Sequence, residues 1–101
     1  MRELEYILDT LDGAVRQMLR EDLSAQLAAF RRALVDKRLK DARDEVHSVH
    51  GSAAFCRLES LRHAAAELEQ SLNNNETNAD HIRAFEINTN EVLRALEHQD
   101  Q

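Results

Sequence analysis

The chain has 101 residues and a formal net charge of −6, with 13 Lys and Arg against 19 Asp and Glu. A chain of this length forms one small domain with one core, and its acidic balance argues against a general nucleic-acid-binding protein. Pro and Trp are absent, whereas Leu, Ala, Glu and Arg, which are strong helix formers, are frequent. The composition therefore predicts one all-α domain that spans residues 1–101.

Apolar residues recur at spacings of three and four, which predicts five helices in chain order. The first helix is short and ends at the Asp12-Gly13 break, and the long second helix ends near Asp36-Lys37. The stripes of the five helices are Leu4, Ile7, Leu8 and Leu11; Val15, Leu19, Leu23, Leu27, Phe30 and Leu34; Leu39, Ala42, Val46, Val49 and Ala53; Leu58, Leu61, Ala65, Leu68 and Leu72; and Ile82, Phe85, Thr89, Val92, Leu93 and Leu96.

The connections between these helices are short and polar. Residues 73–75 are three consecutive Asn and form a loop, and Thr77 to Asp80 resembles a capping box in which Thr77 accepts a backbone hydrogen bond. Helices that each carry one apolar stripe and are joined by short connections pack as antiparallel neighbours. We therefore predict an antiparallel up-down four-helix bundle with a short extra N-terminal helix.

One polar face of the third helix carries two histidines. His47 is one residue, or about 100°, from Val46 of the buried stripe, so its side chain should face solvent near the middle of the helix. His50 and Gly51 follow His47 at i+3 and i+4, and Arg43 precedes it by four residues, so all four share this face.

Gly51 is unusual because glycine inside a helix costs roughly 0.5–1 kcal/mol relative to alanine. Two explanations stay open at this point. The missing side chain could leave a notch beside His47 through which a partner approaches the ring. Alternatively, Gly51 could allow another helix to pack closely, or could mark a helix end.

Basic residues cluster around the start of the third helix. They are either solvated helix surface or a local basic collar for an acidic partner site. The cluster comprises Arg31, Arg32, Lys37, Arg38, Lys40 and Arg43.

The segment His47–Ala53, which reads HSVHGSA, resembles the signature of histidine phosphotransfer (HPt) domains. That signature is His, any residue, an apolar residue, Lys or His, Gly, Ser or Ala, and Ala. Phe55, Leu58 and Leu61 continue the family's apolar spacing into the next helix. The resemblance covers essentially the whole chain and is greatest to the C-terminal phosphotransfer domains of hybrid sensor histidine kinases.

The resemblance implies a phosphorelay intermediate. His47 would accept a phosphoryl group through Nε2 from the aspartate of one receiver domain and pass it to another. His50 would place a donor beside the phosphoryl oxygens, Gly51 would keep the approach clear, and Arg43 would support docking. The response-regulator receiver would supply the aspartate and Mg²⁺, so the chain would need no cofactor and no ATP-dependent activity of its own.

The resemblance, together with a single cysteine that excludes an intramolecular disulfide, implies a monomer in the cytoplasm. It could be a free protein or the cytosolic domain of a membrane-bound hybrid kinase, without nucleic-acid or direct membrane contacts. One departure concerns the turn after the third helix, where the family often has a second Gly and this chain has Arg57. The geometry of that turn is left open.

Two other functions are possible. His47 and His50 could chelate a metal ion with Asp44 or Asp41 nearby, but a structural zinc site usually needs four ligands and the second helix has no His. We therefore expect no metal site. The bundle could also be an HPt-like adaptor without phosphotransfer, which phosphorylation by a receiver would distinguish.

Overall fold

A computed structural model describes residues 2–99, which contain helices and turns and no strand. The helices are α1 Arg2–Asp9, α2 Gly13–Val35, α3 Leu39–Phe55, α4 Glu59–Asn73 and α5 Ala79–Gln99. The all-α class and the short extra N-terminal helix are therefore confirmed. Within residues 2–99, none of the helices combines the length and the apolar character that crossing a membrane requires.

The four long helices form a closed bundle. α2 packs against α3 and α5, and α4 also packs against α3 and α5, so each long helix has two neighbours. Residues 36–38 and 56–58 are connections too short to let the chain cross the bundle, so successive helices run antiparallel. α1 packs along α5.

The predicted stripes form the core. Phe30 of α2 meets Phe85 of α5 edge to face, with ring centroids 5.0 Å apart, which is a favourable geometry for aromatic pairs. Leu8 is fully buried and joins α1 to the same core. The periodicity therefore identified the buried faces correctly, since apolar side chains one turn apart must enter the core together.

Phe55, which continues the family's apolar spacing, lies outside the buried stripe of α3, and 77% of it is exposed. It lies four residues after Gly51 and therefore belongs to the polar face of α3 rather than to the face of Val49. Cys56 and Leu58 fill the core at this end of the bundle instead. Burial raises the pKa of the Cys56 thiol.

The turn at Arg57 is made by a left-handed residue. Arg57 has φ 61°, and the same device ends α2 at Lys37 and α4 at Asn75, each with φ 59°. After α3, the Leu58 N–H donates to the carbonyl of Ala53 at 2.8 Å. This is the Schellman arrangement, in which glycine is the usual left-handed residue.

The predicted cap of α5 is wrong by one residue. Asn78, not Thr77, caps the helix, because its Oδ1 accepts the His81 N–H at 3.1 Å. α5 begins at Ala79, and a capping side chain must stand immediately before the first helical residue to reach the free N–H groups.

Candidate functional site

His47 lies in the middle of α3 and faces solvent. Its side chain is 72% exposed, whereas Val46 and Val49 beside it are completely buried. This is the arrangement that the α3 stripe predicts, since neighbouring helical positions point in directions about 100° apart. The buried valines fix the helix against the core and leave the imidazole accessible.

Glu69 of α4 reaches across to both histidines. The His47 Nδ1 lies 2.7 Å from Glu69 Oε2, and the His50 Nδ1 lies 3.2 Å from Glu69 Oε1. The two rings stand nearly perpendicular, with centroids 6.5 Å apart. We call His47, Glu69 and His50 the His–Glu–His cluster. The Glu69 side chain is only 19% exposed, so its carboxylate is held between the helices.

The shared carboxylate selects the tautomer of each neutral imidazole. A carboxylate only accepts hydrogen bonds, so both Nδ1 atoms carry the hydrogen and donate to Glu69. The Nε2 of neutral His47 then keeps its lone pair on an exposed ring. Neutral His50 likewise presents an acceptor at Nε2, so it donates to a phosphoryl oxygen only when its ring is protonated. The donor role of His50 stays a prediction.

Arg43 lies one turn before His47 and also contacts α4. Its Nη1 donates to Asn73 Oδ1 at 3.3 Å. Arg43 and His47 are four residues apart on α3, and their partners Asn73 and Glu69 are four residues apart on α4. One antiparallel register of the two helices therefore explains both contacts. Because Asn73 is neutral, this contact leaves the positive charge of Arg43 unneutralised.

Three of the six residues of the basic cluster are paired within the chain. Arg31, Arg38 and Lys40 form ion pairs with acidic residues, with closest N–O distances of 2.6, 2.6 and 3.4 Å. Hydrogen bonds to Asp41 and Asp36 raise the pKa of Arg38. Half of the predicted basic collar therefore forms ion pairs with acidic residues of the chain itself.

Gly51 is not explained by packing within the chain. A Cβ built there meets no heavy atom within 4 Å outside its own helix backbone, so no other helix approaches closely. Gly51 is also inside α3, four residues before its end, so it does not mark a helix end. The bare backbone stands one turn after His47 and is open to an approaching molecule.

A shallow groove between α2 and α3 continues from Gly51. Two large apolar side chains stand at its sides: Met18 of α2 is half exposed and Phe55 of α3 is mostly exposed. The groove is lined by Met18, Leu19, Asp22, Gly51, Ser52, Phe55 and Cys56. His47, Gly51 and Phe55 recur at intervals of four residues, so the groove and the phosphoacceptor candidate share one face of α3.

Glu69 is the site residue that the sequence analysis missed. It follows the buried Leu68 by one position, just as His47 follows the buried Val46. Because each residue follows a buried stripe residue by one position, both side chains lie at the edge of the α3–α4 interface. Only the register of the two helices decides that they meet.

These features define a class of protein: a four-helix bundle that presents an oriented, exposed histidine on its surface. A family model described as the Hpt domain matches residues 14–99. The chain belongs to the Hpt domain family, whose members carry phosphoryl groups on histidine in phosphorelay signalling, interact with receiver domains and lack kinase catalysis of their own. No curated protein and no solved structure matched the chain.

Proposed function

We propose that the chain is a phosphorelay intermediate that accepts a phosphoryl group on His47 from one receiver domain and passes it to another. Family membership supports this proposal. The observation that carries it is the 2.7 Å contact between His47 Nδ1 and Glu69, which leaves Nε2 free on an exposed ring.

Transfer begins with in-line attack of the His47 Nε2 lone pair on phosphorus. The P–N bond forms while the P–O bond to the receiver aspartate breaks, and the aspartate oxygen leaves with the bonding electrons. The hydrogen stays on Nδ1, where the Glu69 carboxylate stabilises the positive charge that develops on the ring. Such transfers depend mainly on placement and charge stabilisation.

The receiver brings the aspartate and Mg²⁺, and the Mg²⁺ offsets the negative charge of the phosphoryl oxygens. In our proposal, this chain contributes the nucleophile and the surface on which the receiver docks. Gly51 lets the receiver approach His47, and the groove beside it offers Met18 and Phe55 as apolar contacts. Arg43 provides a positive charge for the acidic receiver site.

We further propose that the chain works in the cytoplasm as a monomer, without contacts to nucleic acid or membrane. It acts either as a free protein or as part of a hybrid histidine kinase. In both cases its partners are response-regulator receiver domains.

The direct test is transfer from a ³²P-phosphorylated receiver to purified chain, followed by mass spectrometry of the labelled site. His47→Gln should keep the helical circular dichroism spectrum and accept no label, because an amide cannot form the phosphoramidate. His63→Gln is the matched control, since His63 is also an exposed histidine that pairs with a glutamate, Glu67, at 2.7 Å, and it should accept label normally.

Two results would contradict the proposal. Label on His50 in the His47→Gln variant would show that His50, and not His47, is the phosphoacceptor. A wild-type chain that no receiver of the source organism phosphorylates would instead indicate an adaptor without phosphotransfer.

A further inference from the structure

The His–Glu–His cluster offers more than a hydrogen-bonding arrangement. Its three side chains each present one ligand atom, two imidazole nitrogens and one carboxylate oxygen, and these atoms all lie within 4.8 Å of one another. We propose that the cluster binds a divalent transition-metal ion, with Zn²⁺ as the probe, and that the bound ion prevents His47 from accepting a phosphoryl group. This inference rests on the function proposed above.

The donor set suits zinc. Two imidazoles and one carboxylate with a water in the fourth position form a common open zinc site, with Zn–N bonds of about 2.0–2.1 Å. Ligand atoms around such a tetrahedral ion are about 3.3 Å apart. The His47 Nδ1 lies 2.7 Å from Glu69 Oε2 and the His50 Nδ1 lies 3.2 Å from Glu69 Oε1. The two contacts use different oxygens of one carboxylate, and one ligand atom from each residue lies within 4.8 Å of the others, so side-chain rotations can converge them on one ion.

The position of the cluster also suits a cation. Glu69 is held between α3 and α4 and places its carboxylate beside two imidazole nitrogens, while the exposed side of His47 leaves room for water on the ion. Of the nearby charged groups, Asp44 faces Lys40. Arg43 donates to the neutral Asn73 and keeps its positive charge, which opposes the ion from one helical turn away. The three ligands thus remain available to a metal ion without breaking an ion pair elsewhere.

Metal binding and phosphoryl acceptance require different tautomers of His47. An ion at Nδ1 uses the lone pair of that atom, so the hydrogen of the neutral ring must be on Nε2. The hydrogen moves from Nδ1 to Nε2 through solvent, and Zn²⁺ exchanges a bound water for the nitrogen. Nε2 then has no lone pair with which to attack phosphorus, and the ion occupies the carboxylate that would stabilise the developing charge.

This proposal departs from the sequence-based expectation of no metal site. That expectation considered Asp44 and Asp41 as the third ligand, and both aspartates form ion pairs with basic residues of the chain. The carboxylate that completes the set comes from α4 and becomes visible only when α3 and α4 are packed together.

Calorimetric titration of the full chain with zinc chloride tests the site without any phosphotransfer. The wild type should bind one ion, and His50→Gln and Glu69→Gln should each weaken binding at least tenfold. His63→Gln should bind zinc as the wild type does. Circular dichroism checks that each variant is folded. Unchanged affinity in a folded His50→Gln or Glu69→Gln variant, or equal weakening by His63→Gln, would overturn the proposed site.

Transfer from a phosphorylated receiver in Mg²⁺ buffer, with and without saturating zinc, tests the consequence. Zinc should slow wild-type transfer at least tenfold, and a zinc-selective chelator should restore it. At the same zinc concentration, His50→Gln should be slowed much less than the wild type because it binds the ion more weakly. This variant also controls for zinc acting on the receiver. Wild-type transfer that zinc does not slow overturns this inference alone. Failure of transfer in zinc-free buffer overturns the proposed function, and calorimetry still decides the metal site.

Discussion

At the scale of single residues, His47 differs from the other exposed histidine that pairs with a glutamate, His63, in the ring nitrogen that makes the contact. His47 contacts its glutamate through Nδ1 and leaves Nε2, the ring nitrogen farther from the backbone, open to a partner. His63 contacts Glu67 through Nε2 instead, so the nitrogen left open is the one nearer its own backbone. Two exposed histidines with similar partners therefore present different nitrogens to solvent.

Replacing Glu69 tests whether its charge matters. Glu69→Gln should slow phosphoryl acceptance by roughly tenfold, because a charge-assisted hydrogen bond to the developing positive ring becomes a neutral one. Glu67→Gln is the matched control and should leave the rate unchanged, since the ion pairs of Glu67 are with His63 and His81 and not with His47. Quenched-flow measurement with a ³²P-labelled receiver gives both rates. A wild-type rate for folded Glu69→Gln would remove Glu69 from the transfer step.

Gly51 provides a second test at this scale. Gly51→Ala should stabilise the fold by roughly 0.5–1 kcal/mol, because its Cβ enters open space. Gly51→Gln should slow transfer by about tenfold, corresponding to about 1.4 kcal/mol on the barrier, because a long side chain blocks the approach to His47. Urea unfolding and transfer rates measure the two effects. If the Gln variant is folded and transfers at the wild-type rate, the notch has no part in docking.

At the scale of helices, α2, α3 and α4 end with the same backbone geometry. Each ends with a non-glycine residue of positive φ followed by a backbone hydrogen bond that closes the turn. The left-handed region costs an ordinary side chain roughly 1–2 kcal/mol. At Arg57 the burial of Leu58, which enters the core directly after the turn, offsets this cost.

Replacing Arg57 tests this account. Arg57→Gly should raise the free energy of unfolding by about 0.5–1 kcal/mol, because glycine adopts the left-handed region without strain but loses more chain entropy on folding. Arg57→Ala is the matched control and should give no comparable gain, since alanine keeps the Cβ that causes the strain. Thermal and urea unfolding compare the two variants. Equal stability of the Gly and Ala variants would contradict the strain argument.

At the scale of the whole molecule, α1 is part of the fold although it precedes the residues that the family model matches. Leu8 is fully buried in the common core. At the far end of the chain, Gln99 Nε2 donates to the Glu5 carbonyl and to Asp9 Oδ1, at 2.9 and 2.8 Å. The first and last helices are thereby joined, which fixes α1 along α5.

Truncating a single α1 side chain tests this integration. Leu8→Ala should lower the free energy of unfolding by about 2–5 kcal/mol, as expected for a leucine removed from a packed core. Tyr6→Ala on the exposed face of the same helix is the control and should change stability by less than about 0.5 kcal/mol. Urea unfolding curves of the two variants give both changes in the free energy of unfolding. A small effect of Leu8→Ala would mean that α1 does not contribute to the core.

The sequence by itself determined the features that depend on local periodicity. Side chains one turn apart must share a face, so the apolar stripes predicted the five helices and their buried sides. The same argument predicted that His47 is exposed beside two buried valines. The signature around His47 then indicated the family, which the match to residues 14–99 supports.

The tertiary structure decided the features that depend on how separate segments meet. Glu69 became part of the site because the register of α3 against α4 places it opposite His47, and no local pattern encodes that register. The start of α5 decided that Asn78 caps it rather than Thr77, since a shift of one residue changes which side chain reaches the free N–H groups. Arg57 adopts a left-handed conformation because the core requires Leu58 immediately afterwards, and this demand of packing outweighs the local preference of an arginine.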